Sequence, residues 1–176
     1  MPQYKIEITD RQSTPLVDHA FLEGVIRQVL IDESVDAATI SLALVSDAEI
    51  HQVNRRFLGH DYPTDVISFL LNESAETVEG EEICPDQGSS AGLSTATSSK
   101  IPICLEGELI VSTETAIREA TAHGWSPVAE LLLYVVHGLL HLCGYDDLTD
   151  EARPLMRSRE RELLALWGFC PTGLES

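Results

Sequence analysis

His137 and His141 stand four residues apart in the stretch Val136-His137-Gly138-Leu139-Leu140-His141-Leu142-Cys143-Gly144-Tyr145-Asp146-Asp147. On a helix that spacing sends both imidazoles off one face, one turn apart, where they can grip a single ion. Gly144 stops the helix and lets the chain fold back, so that Asp147, six residues after the second histidine, can bring a carboxylate to the same ion. The pattern HxxxHxxGxxD thus reads as a metal site. Two neutral nitrogens and one carboxylate suit zinc with an open fourth position, one Zn2+ per chain. The bland alternative is a pair of hydrogen-bonded core histidines.

The element that positions them is a helix from Ser126 to Cys143, apolar at Val128, Leu131, Leu132, Leu133, Val135, Val136, Leu139, Leu140 and Leu142. Such a helix is buried on most sides. Its polar side chains, Glu130, Tyr134, His137 and His141, follow one another at offsets of four, three and four and share a face. That face must meet a polar cleft, a metal or hydrogen-bond acceptors, because imidazoles buried without partners are costly. Ser126 can cap this helix, with Pro127 at its first position.

Upstream, Tyr4–Thr9 alternates like a strand, and Pro15–Ile31 has apolar residues at helical spacing. A second strand is expected over Thr39–Val45. Ser46 and Glu49 form a capping box for a helix to about Phe57. Pro63-Thr64-Asp65 leads into a strand Val66–Leu71. Asn72 to Pro102, centred on about 73–100, is rich in serine, glycine and acids, and is expected to be a mobile insertion. A strand at Glu108–Val111, a helix Thr113–His123 and a last helix Thr149–Trp167 follow. The expectation is an α+β fold: a small mixed β-sheet of about four strands, about five helices, and the zinc site on a central buried helix, in a single domain over 1–176.

Composition excludes several classes. With 176 residues, 44% hydrophobic and 23% charged, the chain suits a soluble globular protein. Its longest apolar run is far short of a membrane span of roughly 20 residues. No secretory signal is visible, so a cytoplasmic location is expected. Cys84, Cys104, Cys143 and Cys170 are scattered and read as reduced thiols. The net charge of −18 runs against gripping phosphate. Part of it is local: Glu73–Lys100 carries six acids and one lysine, a net −5, leaving −13 elsewhere.

HGLLHLCGYDD at His137–Asp147, PTDVISF at Pro63–Phe69, Val53-Asn54 before it and Gly107-Glu108-Leu109-Ile110-Val111-Ser112 after it resemble the YbeY endoribonucleases, the bacterial rRNA maturation factors. The similarity spans most of the chain outside the insertion. It implies one zinc, an α+β fold, processing of the 3′ end of small-subunit rRNA and a part in ribosome quality control. The partners it implies are rRNA and the small ribosomal subunit with its proteins; no membrane and no DNA are expected. Two departures stand out. Asp147 occupies the place of the family's third histidine, and Leu58 the place of an arginine between Phe57 and Gly59. The metal ligands carried over are therefore His137, His141 and Asp147, and Arg55 and Arg56, one turn earlier, become the candidate catalytic cations.

The leading reading is metal-dependent cleavage of single-stranded RNA, in which zinc activates water or polarises a phosphoryl oxygen and an arginine steadies the developing charge. Glu130 and Asp146 are candidates to orient a histidine. Thr64, Asp65 and Ser68 are expected at the cleft edge. Arg153, Arg157, Arg159 and Arg161 could contact phosphate, although Glu160 and Glu162 dilute them into a salt-bridged surface. A second reading is a metzincin-like zinc peptidase, but Gly138 stands where that chemistry needs a glutamate base. A third is a non-catalytic ribosome-assembly factor with a structural metal, favoured by the acidic charge.

Overall fold

Ile40, Leu42 and Leu44 alternate with Ala43 and Val45 along one strand, and the two sets enter different apolar clusters on opposite faces of a sheet. A computed structural model describes residues 1–12, 15–75 and 103–170, with only the backbone described at 73–75 and 103. The strands are β1 (Gln3–Asp10), β2 (Ala37–Val45), β3 (Val66–Ala75) and β4 (Ile103–Ser112). The helices are α1 (His19–Asp32), α2 (Asp47–Val53), α3 (Thr113–His123), α4 (Pro127–Leu142) and α5 (Ala152–Ala165). The sheet order is β1-β2-β4-β3; β1 and β4 run parallel to β2, while β3 is antiparallel to β4. Among the described residues, four strands and five α-helices make the mixed α+β architecture expected.

The main core lies between the sheet and the helices α1, α4 and α5. Leu22, Val25, Ile26, Val29 and Leu30 of α1 meet Ile40, Leu42, Leu109 and the buried side of α4. α4 packs against α1, α3, α5, β3 and β4, which is why its sequence is apolar nearly all round. On the other face, Ile50 of α2 covers Val45, Ile67 and Ile110. No single helix among the described residues is long and apolar enough to cross a membrane.

Several boundaries differ from the expectation. α1 begins at His19 because the Asp18 carboxylate accepts from Ala20 N–H at 2.7 Å and starts the helix there. The capping box at Ser46 and Glu49 forms, but α2 ends at Val53 and the chain continues as a π-helical turn, Asn54–Leu58, closed by Gly59 at φ 72°. Buried Asn54 holds that turn to the following loop by donating to the Tyr62 carbonyl at 2.7 Å. β3 extends past Leu71 to Ala75 and β4 begins at Ile103, because a bulge between Leu70 and Asn72 lets the ladder resume. The margins of the expected insertion are therefore sheet; residues 76–102 lie outside the described residues. α5 begins three residues later than expected, after Thr149 Oγ1 accepts from Ala152 N–H at 3.0 Å.

Close packing explains Gly138. A Cβ there would lie 2.7 Å from Leu109 Cδ2 and 3.2 Å from Val66 Cγ2, so this side of α4 is pressed against the sheet. A longer side chain at 138 would meet Leu109 and Val66 of the sheet, and the chain carries no glutamate there to serve as a peptidase base. Gly138→Ala is expected to destabilise the fold. Overpacking costs about 1–3 kcal/mol, and the gain in helix propensity returns about 1 kcal/mol. A net loss of about 1 kcal/mol corresponds to a Tm lower by about 3 °C, readable by thermal melting.

Candidate metal centre

α4 carries the histidines to the edge of the core and stops there. Ser126 Oγ accepts from Val128 N–H at 3.2 Å with Pro127 at the first position, which sets the start of the helix. At its other end Gly144 N–H donates to His141 O and Tyr145 N–H to Leu140 O, each at 3.0 Å, with Gly144 at φ 93°. This pair of bonds is the Schellman closure that a left-handed glycine permits. It reverses the chain so that the Tyr145 carbonyl lies 3.0 Å from His141 Nδ1. Asp146 Oδ1 then accepts from Asp147 N–H at 2.8 Å and Leu148 N–H at 3.1 Å, which fixes the loop and turns the Asp147 side chain toward the histidines.

His137 Nε2 and His141 Nε2 are 3.0 Å apart. Asp147 Oδ2 lies 3.8 Å from the first and Oδ1 3.6 Å from the second. Among the described residues this is the one set of three such side chains whose donor atoms all fall within 4.8 Å of one another. Each Nδ1 faces an acceptor: Glu160 Oε1 at 2.6 Å for His137 and the Tyr145 carbonyl for His141. Both Nδ1 atoms therefore carry hydrogen, which leaves the two Nε2 atoms turned toward each other beside a carboxylate. Such an arrangement repels itself unless a proton or a cation lies between, so the donor set fits a metal ion.

Glu160 is the residue the sequence reading missed. It is 3% exposed, on the face of α5 that also buries Met156, Leu163 and Leu164. Its offsets of four from Met156 and three from Leu163 were the available signal, since an acid on an apolar helix face needs a partner. The two carboxylates expected to orient a histidine are engaged elsewhere: Asp146 in the loop, and Glu130, 2% exposed, with Trp125 Nε1 and the Tyr134 phenol. Burial and the bond to Glu130 hold the Tyr134 phenol well above its ordinary pKa, so it remains a donor.

Burial by itself lowers the His137 pKa, but the hydrogen bond and charge of Glu160, with Asp147 and Asp65 beyond, outweigh it and raise the pKa above the ordinary value of about 6.5. A metal must displace that proton. In the metal-free chain a raised pKa contributes stability that is complete below the unfolded value and lost as pH rises through the folded one. Metal binding has the opposite slope. The increase in Tm produced by an added divalent metal ion is therefore expected to grow as pH rises through the His137 pKa, and melting curves with and without the ion over about pH 6 to 8 check it.

A cavity of about 210 Å³ opens beside His137, lined also by Asp65, Tyr134, Asp147, Arg153, Arg157 and Glu160. Asp65 is thus at the cleft edge as expected; its Oδ1 accepts from Thr64 Oγ1 at 3.0 Å and from Val66 N–H at 2.8 Å. Ser68 pairs with Leu109 within the sheet. Arg55 and Arg56 lie in the π turn and are not among the cavity's lining residues. Arg55 is 3.9 Å from Asp61, and the Arg56 guanidinium lies over the Phe57 ring, 5.4 Å from its centre. Arg159 has the salt-bridged role, 2.6 Å from Glu33 and 2.9 Å from Glu162.

Comparison with known proteins places this geometry. A family model described as Endoribonuclease YbeY matches residues 5–168. An Endoribonuclease YbeY of Rhodopirellula baltica is 41% identical over 139 residues, 78% of this chain and 58% of that longer protein. One from Bacillus licheniformis is 35% identical over 166 residues, 93% of this chain and 95% of its own length. The solution structure of a Thermotoga maritima protein superposes with a TM-score of 0.58 at 25% identity, covering 94% of this chain and 90% of that one. The match runs from β1 to the end of α5 and includes the helix, turn and loop that gather the three donors, so the chain belongs to the Endoribonuclease YbeY family.

Proposed function

We propose that this chain is a metal-dependent endoribonuclease that cuts single-stranded RNA, with zinc held by His137, His141 and Asp147. The observation that carries the reading is the donor set itself. Two Nε2 atoms 3.0 Å apart, each ring fixed through its Nδ1, face a carboxylate beside a cavity that His137 and Asp147 line, in a chain of this family. Its proposed place of action is the 3′ end of small-subunit rRNA in the cytoplasm, with the small ribosomal subunit and its proteins as partners and ribosome quality control as the wider setting.

When bound, zinc supplies Lewis acidity to a phosphoryl oxygen and lowers the pKa of water. The chain's own residues orient and tune. Glu160 and the Tyr145 carbonyl hold the imidazoles in the tautomer that leaves Nε2 free. Asp147 adds negative charge where a histidine would add none, which weakens the acidification of water and moves the pH optimum upward. Arg55 and Arg56, outside the cavity, are proposed to hold the strand on its approach.

The test uses the purified chain, single-stranded and duplex RNA, and a chelator. Single-stranded RNA is expected to be cut, cutting to stop on chelation with the fold retained, and zinc to restore it. Full zinc occupancy with no cleavage of any RNA overturns the reading and leaves the non-catalytic assembly factor in its place.

A further inference from the structure

We propose that Arg153 and Arg157 of α5 grip the phosphodiester that enters the cavity beside the metal centre, an assignment that rests on the endoribonuclease reading above. Arg153, Arg157 and Glu160 follow one another at spacings of four and three and so share one face of the helix. That face is the one turned toward the centre, because Glu160 is held 2.6 Å from His137 Nδ1. Both arginines line the cavity with His137 and Asp147, and Arg153 Nε donates to the Asp147 carbonyl at 3.3 Å.

Charge makes the two guanidiniums necessary. Asp65, Asp147 and Glu160 supply three carboxylates to the same cavity. Against three negative charges a dication alone leaves the cavity negative, and it would repel a phosphodiester. With two guanidiniums and a dication the balance of the lining turns positive, in a chain whose net charge is −18; Arg153 also pairs with Asp150 Oδ1 at 3.0 Å, outside the lining. The planar fork of arginine also matches two phosphate oxygens at once, which a lysine cannot do. The volume, about 210 Å³, is below the roughly 300–1,000 Å³ of pockets that enclose a whole small molecule. One phosphodiester fits inside while the flanking bases stay outside. Neither of the other two arginines of α5 is among the cavity's lining residues: Arg159, bound to Glu33 and Glu162, and Arg161 both lie outside it.

The experiment compares zinc-loaded full-length chain with Arg157→Gln, Arg153→Gln, Arg157→Lys and Arg161→Gln. Its readouts are bound zinc, binding of a labelled oligouridylate across a salt series, and cleavage kinetics. Arg157→Gln is expected to keep wild-type zinc, to reduce the slope of log affinity against log salt by about 0.7, and to lower kcat/KM by about 100-fold. Arg157→Lys should regain the slope but only part of the rate, and Arg161→Gln should cleave like wild type. Arg153→Gln should follow Arg157→Gln; if it also sheds zinc through its contact with Asp147, Arg157→Gln decides. Binding and cleavage by Arg157→Gln indistinguishable from Arg161→Gln overturn the proposal, as does a wild-type chain that does not bind the oligonucleotide. Arginine-dependent binding without any cleavage supports the phosphodiester site and overturns the endoribonuclease reading instead.

Discussion

His141→Ala is expected to abolish stoichiometric zinc binding and to lower RNA cleavage by about three orders of magnitude, the several kcal/mol of charge stabilisation that a bound metal provides. The expectation follows from the position of His141 at the C-terminal end of α4. Its Nδ1 is anchored to the Tyr145 carbonyl, and its Nε2 stands between His137 Nε2 at 3.0 Å and Asp147 Oδ1 at 3.6 Å. Removing it leaves one imidazole and one carboxylate, too few donors for a protein zinc site. The fold should survive, because the His141 side chain is 28% exposed and the turn after it is held by backbone bonds of Gly144 and Tyr145. Elemental analysis, circular dichroism and a cleavage assay on the same preparation decide the matter. Retention of one zinc per chain in a folded His141→Ala would sink the assignment of this centre.

Changing Glu160 should produce the next largest effect and divide it in two. Glu160→Gln keeps the shape and a hydrogen-bonding group beside His137 Nδ1 but removes the charge, and is expected to weaken zinc affinity by about 10- to 100-fold. Glu160→Ala also leaves the inner edge of the imidazole without its acceptor at a buried site, and should cost about 3 kcal/mol of stability in addition. A zinc titration separates the first effect and a urea midpoint the second. Glu160→Ala with wild-type stability and affinity would return Glu160 to the solvated role that its neighbours Arg159, Arg161 and Glu162 suggest in the sequence.

How much of this is legible before folding depends on the range of the interaction that decides it. The limits of α4 are local: Ser126, Pro127 and Gly144 act on amides and carbonyls within a few residues, and the helix runs where those residues place it. The same holds for the capping box of α2. The π turn is less accessible, since Asn54 is drawn into the interior to bond the Tyr62 carbonyl, a contact no local propensity encodes. The ends of β3 and β4 are also set by pairing, because a bulge at Leu71 lets residues beyond it rejoin a ladder that their polar composition does not advertise.

His137, His141 and Asp147 were readable as a set because helical periodicity and one glycine turn bring them together within eleven residues. That set, the amphipathic elements around it and the family are legible in the residues alone. Docking of distant elements sets the rest: Glu160, twenty-three positions from His137, orients its ring, Gly138 is pressed against Leu109 and Val66, and Arg153 and Arg157 line the cavity while Arg55 and Arg56 stand at the π turn. The reason is physical: a helix or a turn fixes neighbours through its own backbone bonds, whereas contacts between distant segments depend on how α4 and α5 dock, and that is set by the packing of the whole core.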